Sequence, residues 1–88
     1  MKVEINRHFV KDTSKLTPEL RERIFNLIEL LGNCTRLEQI PNIKKLTGYK
    51  NAYRIRIGDY RIGLYHIENS IELRRILHRK DMYDYFPD

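Results

Sequence analysis

The fold is decided by one stretch of sequence, Ala52-Tyr53-Arg54-Ile55-Arg56-Ile57-Gly58-Asp59-Tyr60-Arg61-Ile62. Charged and apolar residues alternate on both sides of a Gly-Asp pair, which is typical of two strands joined by a two-residue hairpin turn. In that register the apolar side chains share one face, and Arg54, Arg56 and Arg61 share the other. Arg56 then lies opposite Arg61, and like charges in that position destabilise a strand pair. The hairpin therefore predicts a bound polyanion, most simply the phosphates of a nucleic acid.

The positive charge of the chain is concentrated around this hairpin. The net charge is +5 over 88 residues, and residues 44–80 hold ten Lys or Arg against three Asp or Glu. Residues 1–43 hold seven against six, and residues 81–88 hold none against three. A solvated surface alone can carry such an excess. The opposed arginines favour the other interpretation, a patch that binds nucleic acid.

Length and composition predict one small domain over residues 1–88. Cys34 is the only cysteine, which excludes an internal disulfide, and the three histidines lack metal-ligand spacing. We therefore expect no metal and no cofactor. No apolar run is long enough to cross a membrane, and the N-terminus lacks a signal-peptide pattern. We expect a cytoplasmic protein with no membrane partner.

The first half of the chain predicts one strand and two helices. Alternation predicts a strand over residues 2–6, and a short helix is possible over residues 9–16. Thr17-Pro18-Glu19 is a helix start, because it supplies a cap, a first-turn proline and an acid near the positive end of the dipole. Apolar residues at helical spacing extend this helix over about residues 18–31.

The second half predicts the rest of an α+β domain. Residues 33–52 suggest a short helical piece interrupted at Pro41, followed by a basic loop. The hairpin and a last strand over about residues 70–78 form an antiparallel meander, and a helical turn ends the chain. The predicted order is β-α-α-β-β-β, with two N-terminal helices on one face of a mostly antiparallel sheet and a short C-terminal helical tail. The other face stays free and carries the arginines.

The register of the last strand extends this free face. With a two-residue turn before that strand, Arg74 and His78 join the arginine face and Arg75 points toward the core, where its stem must snorkel. Gly63 leaves a notch opposite Arg54. A backbone or a base can approach closely there.

Two blocks of the sequence resemble the RelE/ParE superfamily of toxins of bacterial type II toxin–antitoxin systems. These blocks are KLTGYKNAYRIRIGDYRIGLYHI and RRILHRKDMYDYFP. The matched patterns are Leu-Xaa-Gly, Tyr-Arg-Xaa-Arg, a glycine-containing turn, Tyr-Arg-Xaa-Xaa-Tyr and a closing His-Arg-Arg/Lys-Xaa-Xaa-Tyr. The resemblance covers the whole chain. It implies a cognate antitoxin, which we expect to be acidic and partly disordered when free. It also implies one of two targets: mRNA in the ribosome, as for RelE-type nucleases, or DNA gyrase, as for ParE-type inhibitors.

For a RelE-type nuclease the resemblance implies a catalytic site on the sheet and in the tail. Carried onto this sequence, the site residues are Arg54, Arg56, Arg61, Arg79 and Tyr83. The first two positions often hold lysine in the nucleases, and an arginine cannot act as a general base because it does not lose its proton. It can still position and neutralise phosphate.

Cleavage of RNA by its own 2′-hydroxyl requires a proton acceptor, charge stabilisation on phosphorus and a donor for the leaving oxygen. The arginines supply the second of these. His78 is the candidate for proton transfer, because histidine titrates near neutral pH. The residues expected to bind RNA around the site are Lys44, Lys45, Lys50, Arg74, Lys80 and Tyr85.

Structural roles compete with these assignments. Arg61 can pair with Asp59 or Glu72, His78 can bond to the backbone at the strand end, and Tyr83 can anchor the tail. A gyrase inhibitor needs only a contact surface, and an inactive antitoxin-binding homologue needs no site at all. We favour a metal-independent, ribosome-dependent mRNA endoribonuclease, because arginines, a histidine and tyrosines converge on one region.

Overall fold

A five-stranded sheet carries two helices on one face and the C-terminal segment on the other, in a computed structural model that describes all 88 residues. The elements in chain order are β1 (Lys2–Ile5), α1 (Arg7–Thr13), α2 (Pro18–Asn33), β2 (Ile43–Lys45), β3 (Ala52–Ile57), β4 (Tyr60–Ile67), β5 (Ser70–His78) and α3 (Met82–Tyr85). The spatial order is β1-β5-β4-β3-β2, with β1 parallel to β5 and every other pair antiparallel. The predicted α+β class is confirmed, with one more strand than expected.

Both N-terminal helices begin at a side-chain cap. Thr17 Oγ1 accepts a hydrogen bond from the backbone N–H of Leu20, as the Thr-Pro-Glu pattern predicts. Asn6 Oδ1 accepts from the N–H of Phe9 at 2.9 Å, so α1 begins two residues before the predicted start. No helix of the protein is long and apolar enough to cross a membrane.

The main core lies between these helices and the sheet. Phe9 and Ile24 come from the helices, and the apolar face of the hairpin contributes Ile55 and Ile62, each of these four at most 2% exposed. The hairpin register is the predicted one, with Gly58 and Asp59 as the loop residues. Gly58 has φ +56°, which a glycine adopts without strain.

Residues 33–52 follow the prediction in part, because the short helical piece forms before Pro41 but the basic loop is shorter than predicted. Only a 3₁₀ turn forms, over Leu37–Gln39, and the chain then reverses at Asn42, which has φ +62°. Asparagine tolerates this left-handed conformation better than most residues. The reversal brings Ile43–Lys45 against β3 as the edge strand β2, so two of the expected loop lysines lie on a strand.

The register of β5 also differs, because a β-bulge interrupts it between Gly63 and Leu64. A bulge inserts one extra residue into one strand and shifts the pairing beyond it. Gly63 consequently pairs with Arg75 and not with Arg74 as predicted. The prediction that Arg75 points toward the core is therefore wrong, since it lies on the same face as Gly63.

The shift has a second consequence at the end of β5. His78 pairs with Tyr60, and Tyr60 is packed against the main core. Paired residues share a sheet face, so His78 lies on the helix side of the sheet. The prediction that it joins the arginine face is wrong.

The face expected to stay free is partly covered by the tail. Met82 and Phe86 are at most 1% exposed and pack with Leu46 and Ala52 in a second apolar cluster. A Cβ added at Gly63 would lie 2.5 Å from Phe86 Cδ2. The predicted notch is therefore filled by the chain itself, and a ligand cannot enter there.

Candidate functional site

Four arginines and one tyrosine meet beside the tail, on the part of the sheet face that the tail leaves open. Arg54, Arg56 and Arg61 share this face, with Arg56 directly opposite Arg61. Arg54 and Arg61 are half-buried and Arg56 is exposed. No carboxylate lies within 4.0 Å of these three guanidinium groups. With Arg79 they form what we call the arginine cluster.

Backbone carbonyls hold the two inner arginines. Arg61 Nη1 donates to the carbonyl oxygens of Gly58 and Tyr60, both at 3.0 Å. Arg54 Nη1 donates to the carbonyl oxygen of Asn42 at 3.3 Å. The alternative in which Arg61 pairs with Asp59 or Glu72 is therefore wrong. The carbonyls orient the guanidinium groups but leave their positive charge without a counter-ion.

The crowding of positive charge changes the pKa of Arg61. Burial lowers the pKa of Arg61, and the positive charges of Arg54, Arg56 and Arg79 lower it further, while Tyr83 acts in the opposite direction. Arginine nevertheless remains protonated in proteins. The repulsion therefore persists in the free protein, and a bound anion would relieve it.

Arg79 and Tyr83 enter the site from the chain that follows β5. The N–H of Arg79 donates to the carbonyl oxygen of Asp59 at 2.7 Å, which ties the end of β5 to the hairpin turn. The side chains of this pair are 4.0 Å apart and both largely exposed, so their ion pair is weak. Tyr83 is 64% exposed on α3. The five catalytic positions implied by the family resemblance thus come together.

His78 does not join them. Its Nδ1 accepts a hydrogen bond from the N–H of Lys80 at 3.2 Å, and its ring packs edge-on against Tyr60 with centroids 5.5 Å apart. These contacts fit the alternative in which His78 bonds to the backbone at the end of the strand. Proton transfer by His78 stays a prediction, but the argument that His78 shares a face with the arginines no longer supports it.

Arg74 and Tyr85, expected to bind RNA, are occupied within the chain. Arg74 is paired with Glu72 and, at 2.9 Å, with Asp88; its hydrogen bonds to these two carboxylates raise its pKa despite burial. Tyr85 lies under the guanidinium of Arg75, which is in turn bonded to α1. Both therefore hold the tail in place.

The expected RNA-binding lysines are differently placed. Lys44 pairs with Arg54 across β2 and β3, so it extends the arginine face toward the sheet edge. Lys45, Lys50 and Lys80 are exposed, the first at the end of β2 and the others in loops. None of these four lysines has a carboxylate within 4.0 Å.

A groove beside the cluster was not predicted from the sequence. Its volume is about 330 Å³, and its lining includes Lys44, Leu46, Tyr49, Arg54, Tyr83 and Phe86. Tyr49 is 50% exposed on the loop between β2 and β3. The available signal was its position between Gly48 and Lys50, a sequence typical of a loop and not of a strand.

Sequence comparison identifies the relatives of this chain. Residues 3–83 match the family described as the ParE toxin of the type II toxin–antitoxin system parDE. Toxin RelE3 of Methanocaldococcus jannaschii is 47% identical over 88 residues, which is 99% of this chain and 100% of that protein. Putative toxin RelE1 of the same organism is 31% identical over 83 residues, 92% of each chain.

Solved structures agree with these relatives. The RelB-RelE antitoxin–toxin complex from Methanococcus jannaschii superposes with a TM-score of 0.83 and 44% identity, covering 96% of this chain and 99% of that one. The archaeal RelE-RelB complex from Pyrococcus horikoshii OT3 has a TM-score of 0.73 over 92% and 97%, and at 24% identity it supports the fold alone. A bacterial origin is not confirmed, because these relatives are archaeal. The chain belongs to the RelE/ParE family of toxins of type II toxin–antitoxin systems.

Proposed function

We propose that this toxin cleaves mRNA in the ribosome and that a cognate antitoxin neutralises it. One observation carries the proposal: the arginine cluster brings four guanidinium groups and Tyr83 together with only one weak internal ion pair. The 47% identity to a protein named toxin RelE3 supports the RelE-type activity over the alternatives. A ribosomal target also places the action of the toxin in the cytoplasm.

The cluster suits the charge that develops when a phosphodiester is broken. In the proposed step the 2′-hydroxyl of the RNA attacks the adjacent phosphorus, and the bond to the leaving 5′-oxygen breaks. Arg61, which is held by two carbonyls and feels the charges of the other three arginines, stabilises the phosphorane charge. We assign to Tyr83 the donation of a proton to the leaving oxygen. The arginines cannot accept the 2′-hydroxyl proton, and His78 lies on the other face of the sheet, so we assign that role to water or to a group of the ribosome.

The same surface suits neutralisation by an acidic antitoxin. The related toxins from Methanococcus jannaschii and Pyrococcus horikoshii were crystallised with their RelB antitoxins. A carboxylate-rich segment would find uncompensated charge on the arginine cluster. It would block phosphate binding either by covering the cluster or by displacing the tail that carries Tyr83.

Gyrase inhibition is the second candidate, because the matching family is described by its ParE toxins. A gyrase inhibitor would use the same exposed cations as a contact surface and would require no chemistry. An inactive homologue that only binds the antitoxin is the third outcome the experiment must separate.

The test measures both targets with the same protein preparations. Primer extension on translated mRNA reports cleavage, and a supercoiling assay reports gyrase inhibition. We expect wild type to cut mRNA only in the presence of ribosomes. Arg61→Ala should cut about 10²–10³ times more slowly, and Arg7→Ala, an exposed arginine on α1, should match wild type. Intact mRNA with blocked supercoiling would overturn the proposal in favour of gyrase.

A growth assay tests the toxin and its partner together. Expression of the chain alone should slow growth, and co-expression with the adjacent small open reading frame should restore it. Wild type that is soluble but has no effect on growth would indicate the inactive homologue.

A further inference from the structure

We propose that the groove between the β2–β3 loop and the tail is a subsite for one base of the RNA, with Tyr49 as its stacking surface. The inference rests on the proposed function and adds to it, because it concerns recognition of a base and not cleavage at phosphorus. A nucleobase is the occupant to which the geometry points.

The groove is continuous with the arginine cluster. Arg54 belongs to the cluster and lines the groove, and Tyr83, which interacts with Arg61, lines the groove as well. A nucleotide whose phosphate lies on the cluster would therefore have its base beside the groove. A volume of about 330 Å³ lies at the lower end of the range for small-ligand sites. That is suited to one nucleotide and too small for a folded element of a partner.

The chemistry of the lining favours a flat, neutral ring. Leu46 and Phe86 are buried residues that form an apolar floor, and Tyr49 and Tyr83 are exposed aromatics at the sides. Single-stranded bases stack on such side chains irrespective of sequence. Lys44 and Lys45 stand at the rim, where flanking phosphates would pass, and no acidic residue lines the groove.

The exposed side chain of Tyr49 has no partner within the chain. The loop is closed by the N–H of Leu46 donating to Ala52 O at 2.9 Å, and it bends at Gly48, which has φ +86°. This bend leaves Tyr49 half exposed with neither a ring partner nor a side-chain hydrogen bond. A large aromatic held in this way on a stable loop is available to a ligand.

The binding test uses probes that separate base from phosphate. Adenosine 3′-monophosphate, uridine 3′-monophosphate and inorganic phosphate are titrated into the free toxin, and binding is followed by the NMR shifts of the loop amides. Tyr49→Ala should weaken both nucleotides about five- to a hundredfold and leave phosphate binding unchanged. Tyr49→Phe should bind like wild type, because stacking needs only the ring.

Phe25→Ala is the matched control, since Phe25 is 64% exposed on α2 and is not part of the groove lining. It should bind all three probes as wild type does. A second readout is the pattern of mRNA cuts: Tyr49→Ala should change the base preference at the cut site, whereas Arg61→Ala should reduce cutting everywhere.

Two results would overturn the subsite. One is nucleotide binding by Tyr49→Ala that equals wild type, and the other is an equal loss of nucleotide and phosphate affinity. Loss of antitoxin binding alone in Tyr49→Ala would assign the groove to the protein partner and also refute the proposal. If wild type cuts no mRNA but its nucleotide binding still depends on Tyr49, the proposed function fails and the subsite stands.

Discussion

Replacing Gly63 with alanine tests whether the tail is packed on the sheet as described. The new Cβ would lie 2.5 Å and 2.6 Å from Phe86 Cδ2 and Cγ, and 2.7 Å from Met82 Cε. The methionine end can move aside, but the ring carbon next to the Phe86 stem cannot, so the tail must shift. Overpacking of a filled site costs about 1–3 kcal/mol. For a domain of this size we expect Tm to fall by roughly 5–20 °C.

Gly32 provides a matched control within the same chain. It lies in the last turn of α2, and a Cβ there meets nothing within 4 Å. Gly32→Ala should therefore raise the free energy of unfolding by about 0.4–1 kcal/mol, because alanine restricts the unfolded chain and favours helix. Urea denaturation should show that the free energy of unfolding falls in Gly63→Ala and rises in Gly32→Ala. If Gly63→Ala is as stable as wild type, the tail does not fill the space above Gly63 and the reasoning is refuted.

Three further predictions concern charge. Asp12 is 8% exposed and accepts hydrogen bonds from Arg75 Nε at 2.8 Å and from the N–H of Ile76 at 3.1 Å. Asp12→Ala should therefore lower the free energy of unfolding, measured in urea, by about 3 kcal/mol, whereas Asp84→Ala at an exposed position should lower it by under about 0.5 kcal/mol. Equal losses in the two variants would contradict this prediction. Arg56→Glu should stabilise the fold by a few tenths to about 1 kcal/mol, because the residue directly across from Arg61 would then carry a charge of opposite sign. The same variant should abolish mRNA cutting. Reduced stability of this variant would count against the prediction. Burial opposes ionisation of Asp88, but the hydrogen bond and charge of Arg74 outweigh it and hold the pKa of this carboxyl group below its usual value. The ion pair of Asp88 with Arg74 should therefore stabilise the fold above the ordinary pKa of an aspartate, and this stabilisation should be lost as pH falls through the lowered pKa. Urea denaturation over this pH range should show a larger fall in the free energy of unfolding for wild type than for Asp88→Asn, and an identical pH dependence of the two would contradict the prediction.

Local patterns in the sequence were sufficient for the hairpin and the long helix. The Gly-Asp turn sets the pairing of β3 with β4, and Thr17 sets the start of α2, because both depend on residues close in the chain. The position of His78 depended instead on a bulge after Gly63, for which a glycine inside a strand was the local signal, although it equally indicates a close backbone approach. One inserted residue moves every later side chain to the opposite face, so a correct strand still led to a wrong face.

The tail raised a different difficulty. An anchored tail was one of the alternatives that the sequence offered, but the surface that receives it, at Gly63, Ala52 and Leu46, lies on the hairpin strands and beside β2, well before the tail in the chain. Only the folded sheet assembles that surface. The groove lined by Tyr49 was missed for the same reason, since one wall is the loop and the other is the tail.

Two charged sites of the sheet differ in how their charges are balanced, and the contrast bears on function. At the edge of β5 the buried carboxylate of Asp12 is matched by Arg75 with two hydrogen bonds, so the fold satisfies the charge it buries. On the arginine face, Arg56 lies opposite Arg61 without a counter-ion, and the nearby carboxylate of Asp59 faces Arg79 only at 4.0 Å. Folding gains nothing from that arrangement, because an acidic residue in place of either arginine would pair across the strands. A face that keeps like charges together at the expense of stability is typical of a site shaped by its ligand, and phosphate is the ligand that four guanidinium groups suit.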